Sequence, residues 1–399
     1  MRGPYMLDME NRQAAREIFR VIGADQGGID VMLDKAGIYP FFLKEVKSPA
    51  ANILKQQMLS LGGEAVIGRW ALNNSKEFTD VLLLGTIKHY HALTQKLTGQ
   101  PWGLENLRSR LEGLLGGLMK REKVCWKWVD REITLGGKPL VMGILNITPD
   151  SFSDGGCYLE PGAALRQAQK MVEEGADIID VGGESTRPGA LPVSVDEELH
   201  RVMPVLEGLL KEIPVPISLD TYKARTAFEA LKFGVHIIND VGGAQKDAEI
   251  AMVVADFAAP VIIMHNKKCS ADTSHELVAG ITDDLADSVE LYRQAGLPLE
   301  KMAIDPGIGF GKDPRGNLAV LKNLASFQTL NLPVLVGASR KSFIGAVLGT
   351  TPQDRLEGSL AAAFWAAQKG AAILRVHDVK ETVRMLKVLE AIRNAGGQE

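Results

Sequence analysis

The sequence predicts an α/β protein whose last two thirds form a (β/α)8 barrel. From about residue 140 onward, short apolar runs rich in β-branched residues alternate with amphipathic segments, which is typical of parallel βα units. Eight such runs fit the size of one closed barrel. Almost every run ends in polar residues, and a barrel gathers its strand ends at one mouth, whereas a doubly wound open sheet spreads them apart. We therefore favour the barrel over the open sheet.

The expected strands and helices follow from these patterns in chain order. Strands are expected at 140–145, 177–181, 215–219, 235–238, 260–264, 302–304, 333–336 and 371–376. Helices are expected at 162–174, 223–233, 282–295 and 358–369, where apolar residues recur every three or four positions. A glycine follows each of these helices and supplies a helix stop, as Gly175, Gly234, Gly296 and Gly370 do.

Residues 1–130 have a different pattern and are predicted to form a separate, smaller α/β region, with the barrel domain at 131–399. Helices are expected near 11–21 and 49–61 and within 87–120, and strands at 64–67 and 80–84. The charged residues 120–123 are the expected connection into the barrel. No catalytic motif is found in this extension. Added packing is favoured over an oligomerisation or partner-binding role.

Composition and charge exclude several classes of protein. The chain has 399 residues, 46% hydrophobic and 24% charged, and a formal net charge of -4, which argues against nucleic-acid or anionic-membrane partners. Its three cysteines are far apart and include no CxxC pair, which argues against a disulfide framework and favours a reducing cytosol. Neither a signal peptide nor an uninterrupted membrane span is found. A cytoplasmic enzyme acting on small molecules is therefore expected.

Polar residues at three strand ends are the first candidate site. Asp220, Asn239 and Asp305 each end an apolar run, and they offer carboxylate acceptors and an amide that both donates and accepts hydrogen bonds. That combination suits a flat heterocycle with amino and carbonyl edges. Each residue could instead cap the following helix, but three such strands converging on one rim make that explanation poorer.

The seventh and eighth strands supply a candidate anion site. Ser339-Arg340-Lys341 follows the seventh strand, and Arg375 and His377, two residues apart, project from the same side of the eighth. The alternative is a structural ion pair with Asp378 or Glu381. No closely spaced His and carboxylate group resembles a transition-metal site. Mg2+ needs fewer protein ligands, so that the Asn146 amide oxygen could suffice.

Two polar loops complete the candidate site. Residues 146–156 break from the first strand into a segment rich in Pro, Asp, Ser and Gly, and residues 182–189 contain glycine pairs, hydroxyl groups and Arg187. Long polar loops at a barrel mouth are usually functional. The alternatives are turn capping by Asn146 and Asp150 for the first loop and an ordinary flexible connection for the second.

These motifs, taken together and in this order, resemble the dihydropteroate synthase family, which joins a pterin pyrophosphate to p-aminobenzoate in the folate pathway. The likeness extends from about residue 140 to the C-terminus. No single segment decides it. The segments that carry it are 143–156, 182–189, 220–221, 238–240, 264–265, 305–310, 339–341 and 375–378.

The resemblance implies a (β/α)8 barrel and a role for each candidate residue. Asp220, Asn239, Met264, Asp305 and Lys341 would hold the pterin. Asn146, Thr186, Arg375 and His377 would bind pyrophosphate, and Asn146 would help to bind the one implied cofactor, Mg2+. Thr186, Arg187, Pro188, Phe310, Lys341 and Ser342 would surround p-aminobenzoate. Catalysis would rest on Asp220, Asp305, Lys341, Arg375 and His377, and a homodimer through barrel helices is implied.

The chemistry expected from these substrates is a dissociative substitution at the exocyclic methylene carbon of the pterin. Mg2+, Arg375 and His377 would neutralise charge on the departing pyrophosphate, while Asp220 and Asp305 would stabilise the pterin cation. Closed loops would exclude water. Two rivals stay open: a methyltransferase that binds methyltetrahydrofolate, for which an anion site is unnecessary, and a pterin-binding scaffold without turnover.

Overall fold

The computed structural model describes residues 7, 12–119, 123–147, 161–185, 191–269, 271 and 273–395. The chain divides into two compact units, Met1–Lys120 and Arg121–Glu399. The expected boundary near residue 130 therefore falls about ten residues inside the second unit. Within the described ranges, no helix is long and apolar enough to cross a membrane.

The first unit is a small α/β fold with an antiparallel sheet. Its strands β1 (Tyr39–Lys47), β2 (Glu64–Ile67) and β3 (Phe78–Gly85) lie in the order β1-β3-β2. Alternate residues of β3 are buried, as the period of a half-buried strand requires. The helices are α1 (Arg12–Ile22), α2 (Gln26–Leu33), α3 (Ser48–Leu61), α4 (Ile87–Leu97) and α5 (Leu104–Met119).

The sequence predictions for this unit omit α2 and β1. The pattern of β1 is hidden by Pro40 and by an irregularity between Leu43 and Val46, where Glu45 adopts a left-handed φ of 51°. Because such a bulge shifts the alternation of apolar and polar residues, the strand has no clean period of two. The remaining predicted elements of this unit are present.

The second unit is the predicted barrel of eight parallel strands. These are β6 (Leu140–Asn146), β7 (Ile178–Gly182), β8 (Ile217–Asp220), β9 (Ile237–Asp240), β10 (Val261–Met264), β11 (Met302–Asp305), β12 (Leu335–Val336) and β13 (Ile373–Val376). Their order is β11-β10-β9-β8-β7-β6-β13-β12, and a parallel bridge between Ile304 and Val334 joins the two ends. All eight predicted strands are confirmed, and the closing bridge excludes the open sheet.

Helices surround this barrel. They are α6 (Pro161–Glu173), α7 (Val195–Glu212), α8 (Ala224–Phe233), α9 (Glu249–Asp256), α10 (Ser274–Gln294), α11 (Pro314–Lys322), α12 (Ser342–Leu348), α13 (Leu356–Gln368) and α14 (Val379–Asn394). Helix α10 begins eight residues before its predicted start. Thr273 and Glu276 form a capping box there, a signal that the sequence carries as T-x-x-E.

The lower end of the barrel interior is apolar and is covered by a hairpin. Strands β4 (Val124–Lys127) and β5 (Glu132–Leu135) pair, and their Trp126 and Leu135 are fully buried. They share one cluster with inward-facing strand residues, namely Leu140, Met142, Ile178, Ile237, Ile262, Ala303, Leu335 and Ile373. We call this cluster the floor. The segment predicted as a charged connection thus leads into a plug for the bottom of the barrel.

Candidate active site

A layer of polar side chains lies directly above the floor. Successive inward-facing residues of a strand are two positions apart. Residues that follow floor residues by two positions therefore form this layer, namely Asp180 after Ile178, Asn239 after Ile237, Asp305 after Ala303 and Arg375 after Ile373. Asp180, Asn239 and Asp305 are buried, as is Asp220 at the end of β8. Four groups predicted from polar strand ends, Asp220, Asn239, Asp305 and Arg375, therefore meet at one place, together with Asp180 from β7.

Arg375 joins two of these strands through a pair of buried carboxylates. Its Nε lies 2.6 Å from Oδ2 of Asp180, and its Nη2 lies 2.8 Å from Oδ2 of Asp220. The Nδ2 of Asn239 donates to the same Asp180 oxygen over 3.2 Å. A guanidinium group presents its donors in a rigid fork, so that two carboxylates are held in a fixed relation.

Several buried acceptors in this layer have no partner among the described residues. They are Oδ1 of Asp180, Oγ of Ser218 and Oδ1 of Asn239. Buried polar atoms are nearly always hydrogen-bonded in native proteins, because an unpaired one costs about 1–3 kcal/mol. A ligand that brings N–H groups to this part of the barrel would satisfy these oxygens.

Asp305 and Lys341 face this layer from the neighbouring strand ends. Oδ1 of Asp305 accepts a hydrogen bond from the Gly307 N–H over 2.7 Å, while the Lys341 Nζ donates to the carbonyl of Ile308 and lies 4.3 Å from the centre of the Phe310 ring. Burial lowers the pKa of Lys341 to about 7. Burial also raises the pKa of Asp305.

The pKa of Asp220 is also shifted by burial. Burial raises its pKa to about 7, against the opposing charge of Arg375. Shifts of this size at clustered groups in a barrel mouth are typical of functional sites, because a purely structural design would avoid burying so many charges. The desolvated charges therefore point to the same functional site as the orphaned oxygens.

The turn that follows β11 needs glycine in order to reach Lys341. Gly307 and Gly309 have φ values of 67° and 85°, in the left-handed region. A Cβ on Gly307 would lie 1.8 Å from the carbonyl oxygen of His265, and one on Gly309 would lie 2.5 Å from Cδ of Lys341. The Asp305-Pro-Gly-Ile-Gly-Phe310 motif is thus a close-approach turn that leaves space for the lysine.

Three adjacent residues in the turn after β12, Ser339, Arg340 and Lys341, make different contacts. Ser339 Oγ accepts from the His377 N–H over 3.2 Å and lies 3.0 Å from its Nδ1. Arg340 pairs with Asp378, with 2.9 Å between Nε and Oδ2, while Lys341 faces the barrel. The structural ion pair considered for this region therefore exists, but Arg340 makes it. Arg375 instead binds Asp180 and Asp220.

The other described candidates line the same mouth. Asn146 ends β6 beside Gly182 of β7 and is half-buried, and its amide oxygen is a ligand type that Mg2+ accepts. Met264 is buried at the end of β10, and Ser342 is exposed at the start of α12. Thr186, Arg187 and Pro188 lie outside the described residues.

Two findings go beyond the sequence predictions. Asp180 was not among the candidates, because it lies inside an apolar run and not at its end; a carboxylate two residues before Gly182 was the available signal. Asp240 follows Asn239 but faces outward, where its carboxylate accepts from Tyr292 Oη over 2.8 Å and from the Gly242 N–H over 2.8 Å. It therefore anchors α10 to β9 and takes no part in the mouth.

Comparison with known proteins agrees with this geometry. The family model described as pterin binding enzyme matches residues 142–377. Dihydropteroate synthase of Bacillus subtilis is 50% identical over 260 residues, which cover 65% of this chain and 90% of that protein. A structure of Xanthomonas albilineans dihydropteroate synthase with 4-aminobenzoic acid superposes with a TM-score of 0.65 at 41% identity and covers 68% of this chain and 99% of the other.

The N-terminal unit is included in a different match. A probable bifunctional folylpolyglutamate synthase/dihydropteroate synthase of Halobacterium salinarum is 38% identical over 398 residues, which is 98% of this chain but only 47% of that protein. The likeness therefore takes in the first unit as well as the barrel. The barrel, its polar layer and these relatives agree, and the chain belongs to the dihydropteroate synthase family of pterin-binding enzymes.

Proposed function

We propose that this chain condenses 6-hydroxymethyl-7,8-dihydropterin pyrophosphate with p-aminobenzoate to give 7,8-dihydropteroate and pyrophosphate. The observation that carries this proposal is the buried polar layer, in which orphaned acceptors lie beside Arg375 and Lys341. A pterin ring has amino and ring N–H groups on one edge and a carbonyl on the next. Such a ring would satisfy acceptors and donors together.

The pterin site is proposed to consist of Asp220, Asn239, Met264, Asp305 and Lys341, with Asp180 added. Asp220 uses Oδ2 for Arg375, which leaves its other oxygen for a ligand N–H. The Asn239 Oδ1 and Asp180 Oδ1 are two further acceptors. Lys341 is the donor suited to the ring carbonyl, and Met264 supplies an apolar surface against the flat ring.

The leaving group is proposed to lie at Asn146, Thr186, Arg375 and His377. Asn146 would hold Mg2+, which supplies charge neutralisation on the pyrophosphate oxygens when it is bound. Arg375 contributes a permanent cation, and His377 is exposed beyond β13 with Ser339 beside its Nδ1. These groups favour departure of pyrophosphate because they stabilise the charge that accumulates as the bond breaks.

The reaction that follows is a dissociative substitution without a covalent enzyme intermediate. The carbon–oxygen bond to pyrophosphate breaks, the bonding electrons leave with the oxygen, and the pterin methylene carbon becomes electron-poor. Asp180, Asp220 and Asp305 are buried in this layer, and an ionised carboxylate there would stabilise positive charge on the pterin. The amine of p-aminobenzoate then forms the new carbon–nitrogen bond and loses a proton.

The p-aminobenzoate site is proposed to comprise Thr186, Arg187, Pro188, Phe310, Lys341 and Ser342. Among these, Phe310 and Lys341 are already in contact, with 4.3 Å between Nζ and the ring centre. Phe310 is half-buried, and p-aminobenzoate is proposed to enter beside this contact. Cytoplasmic location and a homodimer stay predictions, and sedimentation of the full chain would test the dimer.

The test supplies the purified chain with Mg2+ and the pterin pyrophosphate, with and without p-aminobenzoate, and measures pyrophosphate and dihydropteroate together. Equal amounts of both products, formed only when both substrates are present, are expected. Tight binding of the pterin without product would favour the methyltransferase or scaffold alternatives. Absence of pterin binding would contradict the site itself.

A further inference from the structure

A second cluster of ligand-type side chains lies where the segment after β10 meets helix α10. It consists of His265, Cys269 and Asp284, whose ligand atoms all lie within 4.8 Å of one another. The Nε2 of His265 is 3.2 Å from Oδ2 of Asp284 and 3.5 Å from Sγ of Cys269. None of the three is used in the proposed synthase reaction, and their spacing along the chain hides them from a motif search.

These separations are close to those of a tetrahedral zinc site. With Zn–N and Zn–O bonds of about 2.1 Å and Zn–S bonds of about 2.3 Å, tetrahedral angles put N and O about 3.4 Å apart and N and S about 3.6 Å apart. Two of the three pairs therefore need almost no movement. The third pair, Cys269 and Asp284, must approach by at most about 1 Å, which rotation of the cysteine side chain can supply.

His265 is held so that Nε2 faces this cluster. Its other nitrogen, Nδ1, lies 3.1 Å from Nζ of Lys312, which also contacts the carbonyl oxygens of Gly307 at 2.9 Å and Phe310 at 3.0 Å. These contacts fix the imidazole ring with Nε2 toward Asp284 and Cys269, as outer partners of metal-bound histidines fix the ring.

The cluster is reachable from solvent on the side of Lys267. The Lys267 ammonium pairs with Oδ1 of Asp284, and the two side chains are 42% and 28% exposed. This cation holds the carboxylate beside His265 in the absence of a metal, and it can turn outward when a dication takes its place. Lys267 is therefore a competitor for the position and not a ligand.

We propose that His265 Nε2, Cys269 Sγ and Asp284 Oδ2 bind one Zn2+, with water as the fourth ligand. Cysteine binds as the thiolate and its proton passes to solvent. The nitrogen, sulfur and oxygen set suits a borderline-soft cation and excludes Mg2+, which avoids sulfur. The bound ion would cross-link the segment after β10 to α10. This inference is independent of the proposed synthase activity.

The test titrates metal-free, reduced full-length chain with Co2+ as a spectroscopic substitute for Zn2+, in the presence of excess Mg2+. One equivalent is expected to bind with a thiolate-to-cobalt charge-transfer band, and Zn2+ should abolish the band by displacement. Cys269→Ser should remove the band and weaken binding at least about tenfold. Cys125→Ser, a change at an exposed cysteine elsewhere, should leave both unchanged.

A charge variant sharpens this test without touching a ligand. Lys267→Gln removes the competing cation, and its affinity for Co2+ should exceed that of the parent chain by several-fold. The proposal is overturned if no charge-transfer band forms, if the band survives Cys269→Ser, or if Lys267→Gln weakens binding. Circular dichroism of each variant checks that the fold is retained.

Discussion

The two ends of the barrel interior differ in what they contribute. The floor is apolar and is sealed by Trp126 and Leu135, whereas the layer two residues above it contains Asp180, Asn239, Asp305 and Arg375. Burying apolar surface stabilises a fold, while burying charges costs desolvation free energy that pairing only partly returns. The apolar floor therefore stabilises the fold, whereas the polar layer lowers its stability and forms the site.

The largest effect is expected from Trp126→Ala. Its indole is fully buried in the floor and its Nε1 donates to the Glu300 carbonyl over 2.9 Å, so that unfolding free energy should fall by about 3–5 kcal/mol. Denaturant unfolding followed by circular dichroism measures this loss. The kcat of the remaining folded protein should change less than about twofold. Trp128→Ala, at a half-buried position, should cost less; an equal loss would argue against the floor as the stabilising element.

Asp305→Asn should reduce activity but not stability, the reverse of Trp126→Ala. Asparagine keeps the oxygen that accepts from Gly307 but removes the charge, so that kcat/KM for the pterin pyrophosphate should fall on the order of 100-fold. Unfolding free energy should stay the same or increase, because burial raises the pKa of Asp305 and disfavours its carboxylate. Steady-state kinetics and denaturant unfolding decide the matter. Intact turnover would show that Asp305 has been assigned wrongly.

Gly309→Ala should have a smaller effect, and this effect should involve both stability and activity. The new Cβ would lie 2.5 Å from Cδ of Lys341, and alanine is strained at a φ of 85°. We expect a loss of about 1–2 kcal/mol in unfolding free energy and about a tenfold fall in kcat/KM as the lysine is displaced. Gly296→Ala is the matched control, because its φ is 99° but nothing lies within 4 Å of its Cβ. Equal activity losses in both variants would contradict the close-approach explanation.

The smallest effect is a change in the pH dependence of stability at Lys341. Burial lowers its pKa to about 7 in the folded chain from the ordinary value of 10.5, so the unfolded state binds more protons between these values. Stability from this group therefore rises with pH from about 7 to about 10. Lys341→Met should remove that contribution, which unfolding curves of both proteins at several alkaline pH values will measure. Parallel pH profiles would contradict a desolvated lysine.

Much of the barrel follows from its sequence because each strand is a short, nearly continuous apolar run. All eight were predicted, as were Asp220, Asn239 and Asp305 as strand-end groups at one mouth. Parallel strands buried on both faces leave this signal, and a barrel then brings their carboxyl ends together. The half-buried, bulged β1 left no such signal and was missed.

Partner choice could not be predicted in the same way. Arg340 and Arg375 both lie near Asp378 in sequence or strand order, yet Arg340 pairs with Asp378 and Arg375 reaches across the barrel to Asp180 and Asp220. Arg340 has a positive φ of 56°, a local backbone conformation that a sequence pattern does not reveal. Asp180 was missed because one carboxylate inside an apolar run does not alter its period.

The pairing of β6 with β13 has a consequence for how the protein is made. These strands are the first and last of the barrel, and Met142 lies opposite Arg375. During synthesis from the N-terminus, β6 must wait for more than 200 residues before its second neighbour leaves the ribosome. Until then the floor lacks Ile373 and the carboxylates Asp180 and Asp220 lack their shared cation. The site therefore forms when the barrel closes, late in synthesis. A nascent chain that lacks β13 has neither a closed barrel nor a complete site.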